Sequence, residues 1–466
     1  MAVFVVKTPT GAGVVGCPAD RAPPTVPRRL ESRGFPGCPS RRVETGRSVQ
    51  PTVQADPTIP AVKGPRRDLG PREFLLLVSV LSATTAIGID LVLPAFPNIR
   101  QQFGMASDSS AVAWMITAYF LGLAVGPWLY GPASDRYGRR RPLYAGLALY
   151  AVAAIIGALA PTWPLIVISR FVWGLGASGP RVLSMAMVRD RFDGNAMARV
   201  MSISMAVFLI VPILAPSLGA ALIAILPWRV VFWLPAAIAG GLMLWCRRLP
   251  ETLTLERRRP FTWSAVGTAS REVFTHRQTV GFIVSMTFIF GIMNAYLAGS
   301  EVILSDVYGY AKWFPLFFGC IAVLFAAMSL ANARLVGRLG ALRLIRTEAA
   351  IGVVTMAVLM LVGQMNGGRP NFWLLSVALC LSIPMAQAVV PISNTLALSP
   401  LPHVAGTASS IIGTITFAGG ALLGSVVTGA FNGTVRPFSI FVLGYFVVGA
   451  AFIFFATARA RAAEIR

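Results

Sequence analysis

Two charged residues lie within apolar stretches of the sequence, where an unpaired charge is costly inside a membrane. Asp90 lies in the run GIDLVLPAFP, and Arg170 precedes the run FVWGLGAS. Asp90 is ~24 Å along its helix and Arg170 is ~20 Å up a ~30 Å core on the fourth helix, so the two lie at similar depth. We predict that they form a proton-coupling centre, in which a substrate displaces the proton of Asp90. A structural ion pair that does not titrate stays open as the alternative.

The run GPASDRYGRRRP, residues 131–142, follows the second apolar stretch and combines glycines, one carboxylate and several arginines. A carboxylate at a helix N-terminus is stabilised by the helix dipole and the free N–H groups. We predict that Asp135 contacts the start of the eleventh helix, at residues 404–407, and so joins the two halves on this side. The alternative is that the arginines only set the orientation in the membrane. The predicted gate motif comprises Gly131, Asp135, Arg136, Gly138, Arg139 and Arg140.

The fifth apolar stretch contains the run PILAPSLG, in which proline and small residues are concentrated. Proline removes a backbone hydrogen bond and kinks a helix, and small residues permit close packing. The grouping favours a close contact across the bundle, although an ordinary kink would explain any one of these residues. The predicted packing motif comprises Pro212, Ala215, Pro216 and Gly219.

Polar and aromatic side chains in the other stretches are candidates for lining a substrate cavity. Such side chains either line a cavity or make contacts between helices, and the sequence leaves both open. We expect Glu301, at the end of the seventh helix, to be a solvated charge. We expect Arg181 to lie near one end of the fourth helix without binding a ligand. The cavity candidates are Trp114, Tyr119, Trp173, Asn294, Tyr296 and Asn394.

Membrane helices must position these residues, because the composition excludes an ordinary soluble domain. The chain is 56% hydrophobic and only 12% charged, with a mean hydropathy of +0.70. Apolar stretches of ~20 residues recur, and each is long enough to cross a ~30 Å core as a helix. We predict an all-α membrane protein with twelve transmembrane helices in two six-helix bundles. The predicted segments are a disordered tail (1–72), two bundles (73–249 and 279–458), a central loop (250–278) and a short tail (459–466).

The arginines determine the predicted orientation. The net charge is +22, but the arginines punctuate the apolar stretches instead of forming one basic face, which disfavours nucleic-acid binding. Arginine-rich and arginine-poor loops alternate, and the positive-inside rule places the arginine-rich loops in the cytoplasm. We call this the arginine-rich side and expect both termini there. The tail over 1–72 has no signal-peptide pattern, and a mis-set start codon stays open as its explanation.

Residue patterns for catalysis or cofactor binding are missing from the sequence. The five cysteines and two histidines lack the spacing of a metal site, and no P-loop occurs. No nucleophile, histidine or acid pair is grouped near the membrane. We therefore predict a protein that is not an enzyme, binds no metal or cofactor, and uses a proton gradient.

A weak internal repeat relates the two halves. The runs DRYG, residues 135–138, and GRLG, residues 337–340, each follow the second helix of a half. Parallel halves of this kind are typical of major-facilitator transporters.

The order of the motifs resembles the major facilitator superfamily, and within it the Bcr/CflA family of drug:proton antiporters. The similar runs, over residues 73–458, are GIDLVLPAFP, GPASDRYGRRRP, RFVWGLGAS, MVRDRF, PILAPSLG, WRVVFWLPA with LPETL, and HVAGTASSIIG. The resemblance implies that Asp90 and Arg170 are the residues associated with proton coupling. The chain departs from the family pattern at Trp173, Arg181, Met185 and Glu301.

We therefore expect a proton-coupled multidrug efflux antiporter of the bacterial cytoplasmic membrane. It would export small amphipathic compounds such as chloramphenicol or bicyclomycin by alternating access. The expected partners are a small-molecule drug, protons and the lipid bilayer, without nucleic acid, and the expected state is a monomer. A proton-coupled exporter or importer of a metabolite, such as an amino-acid derivative or a sugar, stays open as the alternative.

Overall fold

Long helices make up most of the computed structural model of the chain, which describes residues 69–106, 109–254 and 263–464. The predicted tail over 1–72 lies outside the described residues as far as residue 68. Residues 255–262 of the predicted central loop also lie outside them.

Two sets of six membrane-length segments account for most of the described helices. The helices are α1 (Pro71–Asp90), α2 (Phe96–Gln102), α3 (Trp114–Tyr137), α4 (Arg140–Leu159), α5 (Trp163–Arg191), α6 (Gly194–Ile225), α7 (Val230–Trp245), α8 (Trp263–Thr275), α9 (Arg277–Val302), α10 (Phe314–Leu339), α11 (Ala341–Met365), α12 (Phe372–Leu398), α13 (Ala405–Gly429) and α14 (Arg436–Glu464).

Eleven segments of the described chain are long and apolar enough to cross a membrane, and α1 and α2 together form the first of them. The twelfth segment is α5, which has 29 residues. Arg170 and Arg181 lie within α5 and lower its mean hydropathy below that of its neighbours. The predicted all-α fold, with twelve transmembrane helices in two six-helix bundles, is therefore confirmed.

The structure differs from the predicted segments at two places. Helix α8 lies inside the predicted central loop, and its Ala269 and Val273 are fully buried one helical turn apart. This amphipathic spacing explains a helix in a stretch that polarity alone assigned to a loop. Helix α14 continues to Glu464, because alanine and arginine, which dominate the predicted tail over 459–466, are strong helix formers.

The first membrane segment is broken directly after Asp90. Pro94 has no N–H group, so the carbonyl of Asp90 has no partner four residues ahead, and α1 ends there. A short 3₁₀ turn, Leu93–Ala95, connects α1 to α2. Irregular backbone at membrane depth is tolerated where protein surrounds it or where it lines a cavity. The proline thus places Asp90 at the one interruption of its segment.

The internal repeat has the same geometry in both halves. Helix α3 ends at Tyr137, directly before Gly138 with φ 88°, and α10 ends at Leu339, directly before Gly340 with φ 78°. A positive φ is accessible to glycine at little cost, which permits the next helix to begin within two residues.

Glycines permit close packing of α5 in the first half. A Cβ atom on Gly174 would overlap the carbonyl oxygen of Tyr119 on α3, and one on Gly176 would overlap the backbone of Tyr150 on α4. On α3, a Cβ atom on Gly122 would overlap the carbonyl oxygen of Phe171. Three helices therefore meet backbone to backbone around Arg170, as small residues allow in membrane bundles.

The contacts between the two halves include those of α3 with α13 and of α6 with α10. Between α3 and α13, the indole Nε1 of Trp128 donates to the Thr414 hydroxyl at 2.6 Å, and that hydroxyl donates to the carbonyl of Ala124 at 2.8 Å. We call this the α3–α13 contact. Between α6 and α10, the carbonyl of Ile213 faces Gly319.

Candidate functional site

Asp90 lies at the break of the first segment, close to both halves of the protein. The residue is only 4% exposed. Its carboxylate makes no hydrogen bond or salt bridge to any residue that the structure describes, and the 3₁₀ turn that follows Asp90 contacts α9 of the second half. An ionised carboxylate in such a place is costly unless it gains a proton or a partner.

Arg170 does not pair with Asp90 and binds backbone carbonyls instead. Its Nη1 donates to the carbonyl of Gly88 at 2.7 Å, and its Nε donates to the carbonyl of Met115 at 3.2 Å. Gly88 lies in the last turn of α1, where carbonyls lack helical partners and a cation is favoured by the helix dipole. The predicted direct contact between Arg170 and Asp90 is therefore not made. Arg170 instead contacts the backbone carbonyl of Gly88, two residues before Asp90.

Aromatic residues hold Arg170 in this position. Its guanidinium carbon lies 4.6 Å from the ring centroid of Tyr119 and 4.8 Å from that of Trp173. The phenol of Tyr119 donates to the carbonyl of Thr85, also on α1, at 3.0 Å. Cations stack favourably on aromatic faces, and more so when desolvated. Helices α3 and α5 thus fix the end of α1 next to Asp90.

Two of the cavity candidates do not lie where a cavity is expected. Trp173 is 1% exposed and packs on Tyr150 and Phe232, with ring centroids 5.4 Å apart in both pairs. It belongs to the core of the first half, because the glycines on either side bring three helices around it. Trp114 is 48% exposed at the first residue of α3 and lies at the helix end, not inside the bundle.

The remaining candidates are interior residues. Tyr119 is fully buried between Arg170 and α1. In the second half, Tyr296 is 1% exposed and stacks on Phe318 at 5.4 Å, and its hydroxyl has no hydrogen-bond partner among the described residues. Asn294 donates to the carbonyl of Phe290 at 3.0 Å, one turn back on its own helix. Asn394 is half-buried on α12.

The predicted packing motif lies against the break in the first segment. Ala215, Pro216 and Gly219 are buried on one face of α6, whereas Pro212 is half-buried. A Cβ atom on Gly219 would lie 2.6 Å from the carbonyl oxygen of Leu91, directly after Asp90. The glycine therefore lets α6 approach the irregular backbone beside the carboxylate.

The predicted gate motif forms a network with Arg139 at its centre. Arg139 donates to Asp190 at 2.8 Å and to Asp135 at 2.6 Å. Burial lowers the pKa of Arg139, but the hydrogen bonds that Arg139 donates to these two carboxylates outweigh burial and hold that pKa above its ordinary value. A raised folded-state pKa means that the contribution of the Arg139 charge to stability is present below its unfolded pKa and is lost only as the pH rises through the folded pKa, so Arg139 stays charged near neutrality.

The predicted contact of Asp135 with the eleventh helix is not made in this structure. The Asp135 side chain, in the last turn of α3, is 53% exposed, and its salt bridge is to Arg139, only four residues further along the chain. The start of α13 instead meets α8, whose Glu272 lies 2.7 Å from His403. Helix α8 was not expected from the sequence, so its carboxylate could not be placed there.

Glu251 anchors the start of α4 from a distant part of the chain. Its carboxylate accepts the backbone N–H groups of Arg139 at 2.7 Å and Arg140 at 3.2 Å. The first N–H groups of a helix have no partner within the helix, and a carboxylate there also interacts favourably with the dipole.

Alanine in place of Glu251 is expected to lower the free energy of unfolding by about 1–2 kcal/mol, the usual effect of removing a helix cap. The measurement is thermal unfolding of detergent-purified protein. Glu272→Ala is the matched control, because its carboxylate contacts the exposed His403 and an exposed pair contributes little. Equal melting temperatures for Glu251→Ala and wild type would contradict the capping role.

At the arginine-poor side, a buried ion pair joins the two halves. Arg100 lies on α2 and donates to Glu301 at the end of α9. The two side chains are only 5% and 4% exposed. Arg100 also donates to the carbonyl of Ser109 at 3.2 Å. The expectation that Glu301 is a solvated charge is therefore wrong, because Arg100 covers it from the other half.

The family model of the Major Facilitator Superfamily matches residues 78–425. The chain belongs to the Major Facilitator Superfamily. Its members are membrane transporters and not a class of enzymes, so this protein is a multi-pass transporter of the inner membrane.

Curated relatives extend the match over most of the chain. The chain is 31% identical over 360 residues to the uncharacterized MFS-type transporter YdgK of Bacillus subtilis, covering 76% of this chain and 86% of that one. It is 27% identical over 379 residues to the bicyclomycin resistance protein homolog of Haemophilus influenzae (80% and 93%). It is 26% identical over 380 residues to the multidrug resistance protein MdtL of Escherichia coli (77% and 90%). The resemblance to drug-resistance members of the superfamily is thus confirmed.

Solved structures support the fold. The inward open conformation of the xylose transporter XylE from Escherichia coli matches with a TM-score of 0.63 at 17% identity, covering 82% of this chain and 94% of that one.

Three residues with clear positions in the structure were missed or misread from the sequence. Arg100 and Glu251 act on partners 201 and 111 or more residues away, and no local pattern signals such pairs. Arg181 did carry a signal, because it departs from the family pattern inside an otherwise matching run.

Proposed function

We propose that this transporter is a proton-coupled antiporter that exports small amphipathic compounds, with Asp90 as the proton carrier. The observation that carries the proposal is the position of Asp90: buried, without an ion-pair partner among the described residues, and at the break beside both halves. The names of the relatives from Haemophilus influenzae and Escherichia coli support drug export over uptake of a nutrient.

The proposed orientation places the arginine-rich loops and both termini in the cytoplasm. The buried pair of Arg100 and Glu301 then closes the periplasmic side, while Asp135 is exposed on the cytoplasmic side. The described conformation would thus be inward-facing. We further propose that the protein works as a monomer, without a cofactor, and draws on the proton gradient alone.

Alternating access then follows from the contacts between the halves. In the inward-facing state, a substrate enters from the cytoplasm and Asp90 releases its proton there. Opening to the periplasm separates Arg100 from Glu301, and Asp135 docks at the start of α13. The substrate leaves, Asp90 binds a periplasmic proton, and the protein returns.

The test is substrate-triggered proton release from detergent-purified protein in weakly buffered solution near neutral pH. Chloramphenicol and bicyclomycin are added to wild type, to Asp90→Asn, and to Asp193→Asn as a control with an exposed carboxylate. We expect release from wild type and the control, and none from Asp90→Asn. Equal release from Asp90→Asn would move the proton site elsewhere, and no binding of either compound would favour a metabolite substrate.

A further inference from the structure

Three phenylalanines from both halves form a cluster in which Phe290 and Phe417 lie near the middle of their helices. The ring centroids of Phe290 on α9 and Phe417 on α13 lie 4.7 Å apart, and those of Phe120 on α3 and Phe290 lie 5.3 Å apart. We call these three residues the central aromatic cluster. Because α3 is part of the first half, the cluster crosses the junction that alternating access must rearrange.

Arg181 covers one face of this cluster. Its guanidinium carbon lies 4.6 Å from the ring centroid of Phe417, although Arg181 is on α5 and Phe417 is on the other half. The residue is half-buried, and its side chain donates no hydrogen bond and makes no salt bridge to any part of the chain that the structure describes. Arg181 lies ten residues before the end of α5, so the expectation that it lies near a helix end is wrong.

The charges around the central aromatic cluster are unbalanced. Arg170 stacks on Tyr119 at 4.6 Å, and the ring centroid of Tyr119 lies 6.4 Å from that of Phe120 in the cluster. Arg170 also donates to the carbonyl of Gly88, two residues before Asp90, so both charges lie beside the cluster that Arg181 covers. Two cations face one carboxylate, and the sum is positive whether or not Asp90 carries a proton. A cationic ligand would be repelled, and the face of Phe417 that would attract it already holds a guanidinium.

A guanidinium has five N–H donors in a planar fork and no acceptor. The N–H donors of Arg181 have no partner among the described residues and can bind a ligand. The rings of the central aromatic cluster, on which Arg181 stacks, offer an apolar contact. An aromatic compound with an oxygen-bearing planar group fits this pairing. An uncharged group of this kind also leaves Asp90 free to exchange its proton.

We infer that Arg181 determines substrate specificity: it binds uncharged aromatic compounds that present an oxygen acceptor, such as a nitro or carbonyl group, and rejects lipophilic cations. This inference rests on the proposed transport function and narrows its substrate class.

The experiment measures equilibrium binding of two probes to detergent-purified protein by isothermal titration calorimetry. The probes are chloramphenicol, which is uncharged and carries a nitro group, and tetraphenylphosphonium, a lipophilic cation. In wild type we expect a Kd for chloramphenicol at least about tenfold lower than for tetraphenylphosphonium. In Arg181→Gln we expect tetraphenylphosphonium affinity to rise about tenfold, as removal of a nearby unit charge predicts, and chloramphenicol affinity to fall.

Two further variants separate charge from packing. Arg191→Gln is the matched control. Arg191 is on α5 like Arg181, but it stacks at 4.7 Å on Phe74 of α1, within the first half. We expect this variant to bind both probes as wild type does. Arg181→Lys keeps the charge and loses the fork, so it should still reject the cation while binding chloramphenicol more weakly. The inference is overturned if wild type binds both probes equally, if Arg181→Gln keeps the wild-type ratio, or if Arg181→Lys behaves like Arg181→Gln.

Binding ratios are independent of proton movement, which separates this inference from the proposed function. A wild type that prefers chloramphenicol yet releases no proton contradicts antiport and supports the role of Arg181. Proton release by wild type, together with an unchanged binding ratio in Arg181→Gln, supports antiport and contradicts the role of Arg181.

Discussion

Glutamine in place of Glu301 is expected to shift the conformational equilibrium about 100-fold away from the described state. The substitution leaves Arg100 buried without its carboxylate, and removing one member of a buried ion pair costs about 3–5 kcal/mol. Separation of the halves at this side returns Arg100 to water, so the cost falls on the closed state alone. About 3 kcal/mol corresponds to the 100-fold shift, since 1.4 kcal/mol is a factor of ten.

The measurement is the rate at which a membrane-impermeant maleimide reacts with a cysteine at Ala298, in a background with the five native cysteines replaced by serine. Ala298 is 2% exposed on α9, one turn before Glu301, and is protected while this side is closed. We expect slow labelling with Glu301 present and much faster labelling in Glu301→Gln. The charge swap Arg100→Glu with Glu301→Arg should restore much of the protection.

Glu272→Gln is the matched control for this experiment, because Glu272 pairs with an exposed histidine at the other side. Its labelling rate should equal that of the unsubstituted background. If Glu301→Gln is labelled as slowly as that background, the ion pair does not hold the two halves together.

Alanine in place of Gly174 is expected to abolish the native packing of the first half. The added Cβ atom would overlap the carbonyl oxygen of Tyr119, and the obstacle is backbone within a helix, so it cannot move without displacing α3. Overpacking of this kind costs about 1–3 kcal/mol or more even where side chains can adjust. Displacement of α3 would also carry Tyr119 away from Arg170 and α1.

The measurement is thermal unfolding followed by fluorescence-detected size-exclusion chromatography. We expect Gly174→Ala to be recovered as aggregate or with a strongly lowered melting temperature. Gly240→Ala on α7 is the control, because no atom lies within 4 Å of a Cβ atom there. Its melting temperature should be unchanged or slightly raised, since alanine is favoured over glycine in a helix by about 0.5–1 kcal/mol. Equal melting temperatures for the two variants would refute the close contact.

The sequence was sufficient for the number and type of helices, because membrane helices are determined by local composition. Each apolar stretch must satisfy its own backbone hydrogen bonds, whatever its neighbours do. The same reasoning failed for α8, whose short amphipathic pattern lies in a charged stretch. The equivalence of Gly138 and Gly340 was also predictable, since each belongs to a short local run, DRYG or GRLG, that follows the second helix of its half.

Side-chain partners were less predictable, because depth along a helix does not determine direction around it. The depth estimate placed Arg170 near Asp90. In the structure the Arg170 guanidinium donates to the carbonyl of Gly88, which is on the same helix as Asp90. The residue type of Trp173 left a cavity and core packing both open, and the structure places it in the core, because the glycines beside it bring α3 and α4 close. Glu301 was assigned to solvent because it lies at the end of the seventh helix. Its partner Arg100 belongs to the other half, and pairs between halves leave no mark on local sequence.

The α3–α13 contact has a mechanical consequence for transport. Ala124 and Thr414 lie in the middle third of helices of 24 and 25 residues, so each helix extends roughly 14–22 Å to either side of the contact. Rotation about this point opens one end of the protein only by closing the other. A turn of roughly 15° moves each helix end by about 5 Å, enough to separate Arg100 from Glu301. In the proposed alternating-access cycle, the hydrogen bonds of Trp128 and Thr414 would act as a pivot, and their place near mid-length would make the two openings mutually exclusive.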